Sequence, residues 1–175
     1  MVKYFDSIPD HLRDWALEQQ VFFTASAPLA GKHVNVSPKG LPATTFTIFD
    51  PNHAAYIDAT GSGIETVSHV YENGRITVMF CSFGKSPRIM RFFCTGKVVE
   101  YDQPEFDPLL ERMAKRRVEG ARAIIMLDVF KVARMTERSY LASRLIKSLG
   151  PNIVRLRRSL SKYSVCCGGR KLSQR

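Results

Sequence analysis

The sequence predicts a mainly β protein, a small antiparallel barrel, closed or split, with a few helices at its periphery. Seven runs rich in β-branched and aromatic residues indicate strands. Short turn segments join most of these runs, which makes neighbouring strands antiparallel. Strands and helices do not alternate regularly, and this argues against a doubly wound parallel sheet. A sheet with few helices buries its apolar face most economically when it curls into a barrel.

One helix and four strands are predicted in the first third of the chain. The helix spans residues 9–20, because Asp10 can cap its amino end and apolar residues recur at helical spacing. In the second strand apolar and polar residues alternate, and the Pro-Lys-Gly sequence at 38–40 ends it. The four strands are residues 21–26, 33–37, 44–49 and 54–59.

A second helix is predicted over residues 64–73. Ser62 and Glu65 have the spacing of a capping box, in which each side chain accepts a hydrogen bond from the other residue's backbone amide. Asn73-Gly74 suits a helix that ends in a left-handed residue. The remaining elements are two strands, a third helix and a last strand, at residues 76–81, 89–101, 104–118 and 121–132.

The composition indicates one soluble domain in a reducing compartment. Of the 175 residues 45% are hydrophobic, and no apolar run reaches the ~18 residues of a membrane span. The amino terminus shows no apolar core followed by a cleavage site, so no secretory signal is predicted. Cysteines and histidines are not spaced for a metal site, and Cys81 and Cys94 are expected as buried free thiols. These features predict a cytoplasmic protein.

The net charge of +10 lies entirely in the last quarter of the chain. Residues 1–132 hold fifteen lysines and arginines and fifteen acids, whereas residues 133–175 hold eleven and one. The predicted organisation is therefore a neutral barrel domain over residues 1–132 and a basic extension, helical or disordered, over residues 133–175. Leucines and isoleucines recur there between basic residues at near-heptad spacing. The extension is either solvated, packed on the barrel, or a basic amphipathic helix that contacts an anionic membrane or nucleic acid.

Small polar and basic residues lie at the ends of the predicted strands. Asn35 and Ser37 share one face of their strand, and Lys39 follows at its exit. The segment Thr60-Gly-Ser62 precedes the second helix, where glycine allows close approach and free amides favour an anion. The segment Pro87-Arg-Ile-Met-Arg91 leads into the sixth predicted strand. Amide, hydroxyl and cationic groups of this kind can bind a polar or anionic ligand.

The order of these segments resembles the flavin-binding split barrel of the pyridoxamine 5′-phosphate oxidase family, over about residues 21–132. The resemblance implies an antiparallel split β-barrel of the FMN-binding type. It also implies a homodimer that binds FMN, or a related flavin, at the seam between its subunits. The cofactor-binding positions that it implies are Asn35, Ser37, Lys39, Thr60, Ser62, Thr66, Arg88 and Arg91.

The resemblance implies an FMN-dependent oxidoreductase that acts on a small organic substrate, with no catalytic residue assigned. The chain departs from the family where the usual Arg-Lys phosphate pair would fall, at Glu65 and Thr66. Losing two charged hydrogen bonds weakens phosphate binding by a few kcal/mol, at ~1.5–3 kcal/mol each. The chain also lacks the tryptophan and histidine of the true oxidase's last segment. It therefore resembles an uncharacterised branch of the family.

Two alternatives to the flavoenzyme remain. One is a non-catalytic split-barrel binding protein that has lost its contacts to the flavin phosphate and binds no flavin. The other is an interaction protein that works through its basic tail.

Overall fold

The computed structural model describes residues 2–61, 63–83 and 88–135. Within these residues the chain forms eight strands and four helices. The strands are β1 (Val2–Phe5), β2 (Val21–Ser26), β3 (Asn35–Gly40), β4 (Phe46–Ile48), β5 (His53–Ala59), β6 (Arg75–Cys81), β7 (Ile89–Glu100) and β8 (Ala121–Met135). The helices are α1 (Asp10–Leu17), α2 (Pro42–Thr45), α3 (Glu65–Asn73) and α4 (Phe106–Arg112).

The strands form one antiparallel sheet in the order β3-β2-β6-β7-β8-β5-β4, with β1 beside β8. The long strand β8 pairs with β7 on one side. On its other side it pairs with β5 up to Asp128 and with β1 from Val132. β3 and β4 stand at the two ends of the order, and in the described part of the chain no backbone ladder joins them. The barrel is thus split between β3 and the β4–β5 hairpin, which confirms the predicted fold class.

Aromatic side chains fill the barrel interior beside the split, where no backbone ladder joins the two end strands in the described residues. The ring centroid of Phe22 on β2 lies 5.2 Å from that of Phe46 on β4 and 5.5 Å from that of Tyr56 on β5. Phe80 on β6 extends the cluster to Phe92 on β7 at 5.3 Å. All five rings are fully buried. The sheet therefore curls until its two end strands share one core, and each ring pair adds about 1 kcal/mol to the stabilisation from buried area.

A smaller core lies on the outer face of β5 and β8. Phe106 and Met113 of the α4 segment pack there against Ala55, Ile57 and Ile124. This layer packs against the outer face of β5 and β8, the two strands that also contribute residues to the candidate site.

Two element boundaries differ from the predictions because the backbone turns. The sequence predicts a helix over residues 104–118, but α4 ends at Arg112, just before Ala114 adopts a left-handed conformation with φ of 52°. The strand predicted at residues 44–49 begins instead with the helical turn α2. Leu41 is left-handed there (φ 49°), and the Thr44 hydroxyl donates to its carbonyl.

Two strands differ because of their neighbours. β3 begins at Asn35 and continues through Pro38, where the sequence predicts its end. Proline is tolerated there because β3 is an edge strand and Pro38 needs no second ladder partner. β1 is not predicted at all, since three of its four residues are exposed and the strand forms by pairing with the far end of β8.

The helix α3 confirms one predicted end and corrects the other. Gly74 ends it in a left-handed conformation with φ of 70°, and its amide donates to the Val70 carbonyl. At the other end the cap position is Ile64, and no side-chain capping hydrogen bond forms there among the described residues. Glu65 is thus the first helical residue and not the third, which differs from the predicted capping box, while Ser62 lies outside the described residues. In α1, Pro9 rather than Asp10 occupies the cap position.

Most of the predicted basic extension, from residue 136 onward, lies outside the described residues, and its interpretation stays a prediction. The last three described residues of the chain, 133–135, complete β8. Among the described helices, none has both the length and the apolar character needed to cross a bilayer. Of the two cysteines expected as buried, Cys94 is buried and Cys81 half-buried, and burial raises the pKa of both thiols.

Burial of Tyr56 is expected to make the stability of the folded chain fall at alkaline pH. Burial, and then the nearby Asp58 carboxylate, raise the Tyr56 pKa well above its usual value near 10. The folded chain keeps this proton where the unfolded chain loses it, so stability falls as the pH rises above about 10. We expect Tyr56→Phe to show a smaller drop in Tm than wild type between about pH 9 and pH 11. Tyr101→Phe, on an exposed ring, is the control, and equal slopes for all three proteins would contradict the prediction.

Candidate functional site

A cleft of about 610 Å³ opens at the split in the barrel. Its walls are β3, the carboxyl end of β5, the start of α3 and the first residues of β8. We call it the seam cleft. Its lining includes Asn35, Ser37, Lys39, Gly61, Gly63, Glu65, Thr66 and Arg122. A volume of this size is typical of sites for small molecules and cofactors.

Two cations that line the seam cleft share one buried carboxylate. Asp58 of β5 has no exposed side-chain surface. Its two oxygens accept hydrogen bonds from Lys39 Nζ of β3 at 2.6 Å and from Arg122 Nε of β8 at 2.7 Å. Both cations keep 18% of their side-chain surface exposed. Two cations on one anion leave a net positive charge, and the Lys39 bond spans the split that no backbone ladder crosses in the described residues.

A second polar network holds the wall between β3 and α3. Asn35 Nδ2 donates to Thr66 Oγ1 at 3.0 Å and lies 3.5 Å from Ser26 Oγ. Ser26 Oγ is also hydrogen-bonded to His69 Nδ1 at 3.0 Å. Ser26, Thr66 and His69 are all buried. The Asn35 amide therefore positions the hydroxyl of Thr66 at the edge of the cleft.

The start of α3 carries a negative charge. Glu65 is exposed in the first turn, and its carboxylate folds back over Gly63, where any Cβ would overlap it. An acid at this place stabilises the helix dipole. Its negative charge also disfavours the binding of a second anion at the start of this helix.

The seam cleft brings together half of the eight predicted binding residues. Those that line it are Asn35, Ser37, Lys39 and Thr66. Thr60 lies next to it on the far side of the β5 end and lines a second, adjoining cleft. Ser62 lies outside the described residues.

Arg88 and Arg91 do not line the seam cleft of their own chain. Arg91 faces Met79 on β6 and Ala133 on β8. The pairing continues from Met79 across β2 to Pro38 on β3, so Arg91 lies three strands, roughly 14 Å, from the β3 wall of the cleft. Arg88 directly precedes β7, at the same end as Arg91. One chain alone therefore does not place these two arginines beside the other predicted residues.

Sequence reasoning missed Asp58, Arg122, Ser26 and His69. A signal for Asp58 exists, because it is a lone acid in the otherwise buried run of β5 and must find a partner there. His69 shares one face of α3 with Thr66 and Val70, which are buried too, and this spacing predicts burial. The identity of the partners depends on which strands meet across the split, and local spacing does not show that.

The chain matches the family model described as pyridoxamine 5′-phosphate oxidase over residues 8–136, well over half of its length. It is also 55% identical over 129 residues to the pyridoxamine 5′-phosphate oxidase family protein ustO of Aspergillus flavus. The match covers 74% of this chain and 52% of that protein, so the chain spans about half the length of this curated relative.

Solved structures show the same fold at low identity. A single-residue variant of HupZ from Group A Streptococcus has a TM-score of 0.58 at 18% identity, over 73% of this chain and 99% of that one. The FAD binding protein of Mycobacterium smegmatis has a TM-score of 0.50 at 10% identity, over 75% and 99%. HutZ, the heme storage protein of Vibrio cholerae, has a TM-score of 0.50 at 12% identity, over 70% and 89%.

The cofactors named for these proteins differ, so the shared fold does not select one. The family model and the 55% identical relative together decide the family. The chain belongs to the pyridoxamine 5′-phosphate oxidase family.

Proposed function

We propose that the chain binds FMN or a related flavin in the seam cleft and acts, as a homodimer, in a redox step on a small organic substrate. The observation that carries this proposal is the convergence of predicted binding residues on one cleft. Asn35, Lys39 and Thr66 come from separate elements and line the same space. Family membership supports a flavin, and the positive charges of Lys39 and Arg122 in the cleft suit the negative charge that the ring gains on reduction.

The residues of the seam cleft fit the ring of a flavin. The Ser37 hydroxyl and the Lys39 ammonium are donors that suit its carbonyl oxygens. Gly61 presents no side chain, and the space where its Cβ would lie is open, so a flat ring can approach the backbone. At the start of α3 the fit is poor for a phosphate, because the Glu65 carboxylate stands there.

The chain's own residues would bind and orient the cofactor. A bound flavin supplies the electron transfer itself. Asp58 holds Lys39 in one position, so that its positive charge faces the cleft without reorganisation. The hydrogen bond from Asn35 fixes Thr66 at the cleft wall, and His69 holds Ser26 behind it.

The positions of Arg88 and Arg91 support a site that two subunits share. Neither arginine lines the seam cleft of its own chain, so a second copy of the chain can supply them to a flavin that is bound there. We therefore propose a homodimer in which Arg91 of the partner subunit completes each site.

Complementation between two inactive variants tests the shared site. We expect Lys39→Ala and Arg91→Ala each to weaken flavin binding, measured by quenching of flavin fluorescence. After the two variants are unfolded and refolded together, each mixed dimer has one seam with both residues intact, so about half of its sites recover. Mixing wild type with the Lys39→Ala, Arg91→Ala double variant is the control. Wild type that binds no flavin would refute the proposed function, and variants that fail to complement would refute the shared site.

The position of Glu65 favours a second candidate function. A split barrel with a carboxylate at the usual phosphate position could bind a different small molecule and catalyse no redox step. Replacement of Glu65 separates the two candidates.

A further inference from the structure

A second cleft of about 560 Å³ adjoins the seam cleft. It lies where β5 ends and the chain enters β8, and Thr60, Arg117 and Gly120 are among its lining residues. The Thr60 amide donates to the Gly120 carbonyl at 2.7 Å, and the Tyr101 amide to the Arg122 carbonyl at 3.0 Å. Its walls are thus held by backbone hydrogen bonds.

Arg122 lines both clefts. Its Nε donates to Asp58, and its other guanidinium nitrogens make no hydrogen bond to the residues that the structure describes. A guanidinium carries five N–H donors in a fixed plane. The side chain is 18% exposed, so its remaining donors are within reach of a ligand.

Arg117 adds a second cation to the second cleft. Its guanidinium carbon lies 5.2 Å from the centroid of the Phe106 ring, which is itself buried. This stacking limits the freedom of an otherwise exposed side chain. Glu119 also lines the cleft, so two arginines face one carboxylate. The charge therefore becomes more positive from the Glu65 end of the seam cleft towards Arg117.

We propose that the second cleft is an anion subsite, which takes the phosphate of a ligand whose ring lies in the seam cleft, with Arg122 and Arg117 as its cations. This inference rests on the proposed function, which places the ring of the ligand in the seam cleft. Glu65 repels a phosphate at the start of α3, and Arg122 connects the two clefts directly. The ligand class is a phosphomonoester or a pyrophosphate carried on a flat ring system. Paired arginines suit such groups because each can donate two hydrogen bonds.

Riboflavin and FMN differ only by the phosphate, so their affinities isolate the subsite. In the full chain we expect Arg117→Ala to weaken FMN binding about tenfold, the loss of one charged hydrogen bond, and to leave riboflavin binding unchanged. Arg116→Ala is the matched control, since Arg116 is an exposed neighbour that does not line the cleft. Unchanged FMN affinity in Arg117→Ala, or an equal loss for riboflavin, would overturn the inference.

Pyrophosphate alone separates failure of the subsite from failure of the proposed function. By calorimetry we expect it to bind wild type and Arg116→Ala, and to bind Arg117→Ala about tenfold more weakly. If wild type binds pyrophosphate in this pattern but neither flavin, the subsite stands and the flavin proposal falls. If riboflavin binds but pyrophosphate binding does not depend on Arg117, the flavin proposal stands and the subsite is refuted.

Discussion

Asp58→Asn is expected to lower the free energy of unfolding by about 3 kcal/mol, the lower part of the range for breaking a buried ion pair. The carboxylate is fully buried, and its loss leaves Lys39 and Arg122 close together without their anion. The two cations keep some exposure to water, which limits the loss. Because the Lys39 bond spans the split in the barrel, β3 should loosen first.

Urea unfolding measures this effect, with Asp128→Asn as the matched control. Asp128 is 72% exposed and lies 3.6 Å from His53, so its loss should cost well under about 1 kcal/mol. Adding Lys39→Met to Asp58→Asn should recover part of the stability, since it removes one uncompensated cation. Equal stability of Asp58→Asn and Asp128→Asn would show that the buried ion pairs do not hold the split closed.

Glu65→Arg is expected to tighten FMN binding by about 2 kcal/mol, roughly thirtyfold, and to leave riboflavin binding unchanged. The substitution removes a carboxylate from the start of α3 and puts a phosphate donor there. The phosphate should then move to the helix, so FMN binding in this variant should no longer depend on Arg117.

Titration of both flavins with Glu65→Arg and Glu65→Gln measures the effect. The glutamine variant removes the repulsion without adding a cation, so its gain should be smaller. If wild type binds no flavin and Glu65→Arg does, the second candidate function is supported. An equal gain for riboflavin and FMN would contradict a role in phosphate selection.

Local pattern predicted the strands well, because a strand's alternation follows from which face is buried. Seven of the eight described strands overlap a predicted strand. β1 was missed because its residues are mostly exposed and it forms only against β8, more than a hundred residues later. The helix predicted at residues 104–118 was too long because a single left-handed residue, Ala114, ends the helical path.

The candidate site was predictable in part. The polar residues Asn35, Ser37 and Lys39 of β3 all line the seam cleft, but so do the three residues between and after them, because the cleft runs along this whole edge strand. Glu65 is the first residue of α3 and not the third, which differs from the predicted capping box. Arg88 and Arg91 line neither the seam cleft nor the second cleft, because their place depends on which strands pair, and local spacing does not contain that information.

The positions of most strands along the chain, the left-handed end of α3 at Gly74 and the side chains that share a strand face all follow from the amino-acid pattern, because they depend on near neighbours. Only the tertiary structure decides which charged residues form ion pairs. Asp58 pairs with Lys39 across 19 residues and with Arg122 across 64. These contacts exist because the sheet curls around its aromatic core until β3 faces β5. A charged side chain such as Asp58 can be buried there because the curled sheet brings oppositely charged side chains within hydrogen-bonding distance.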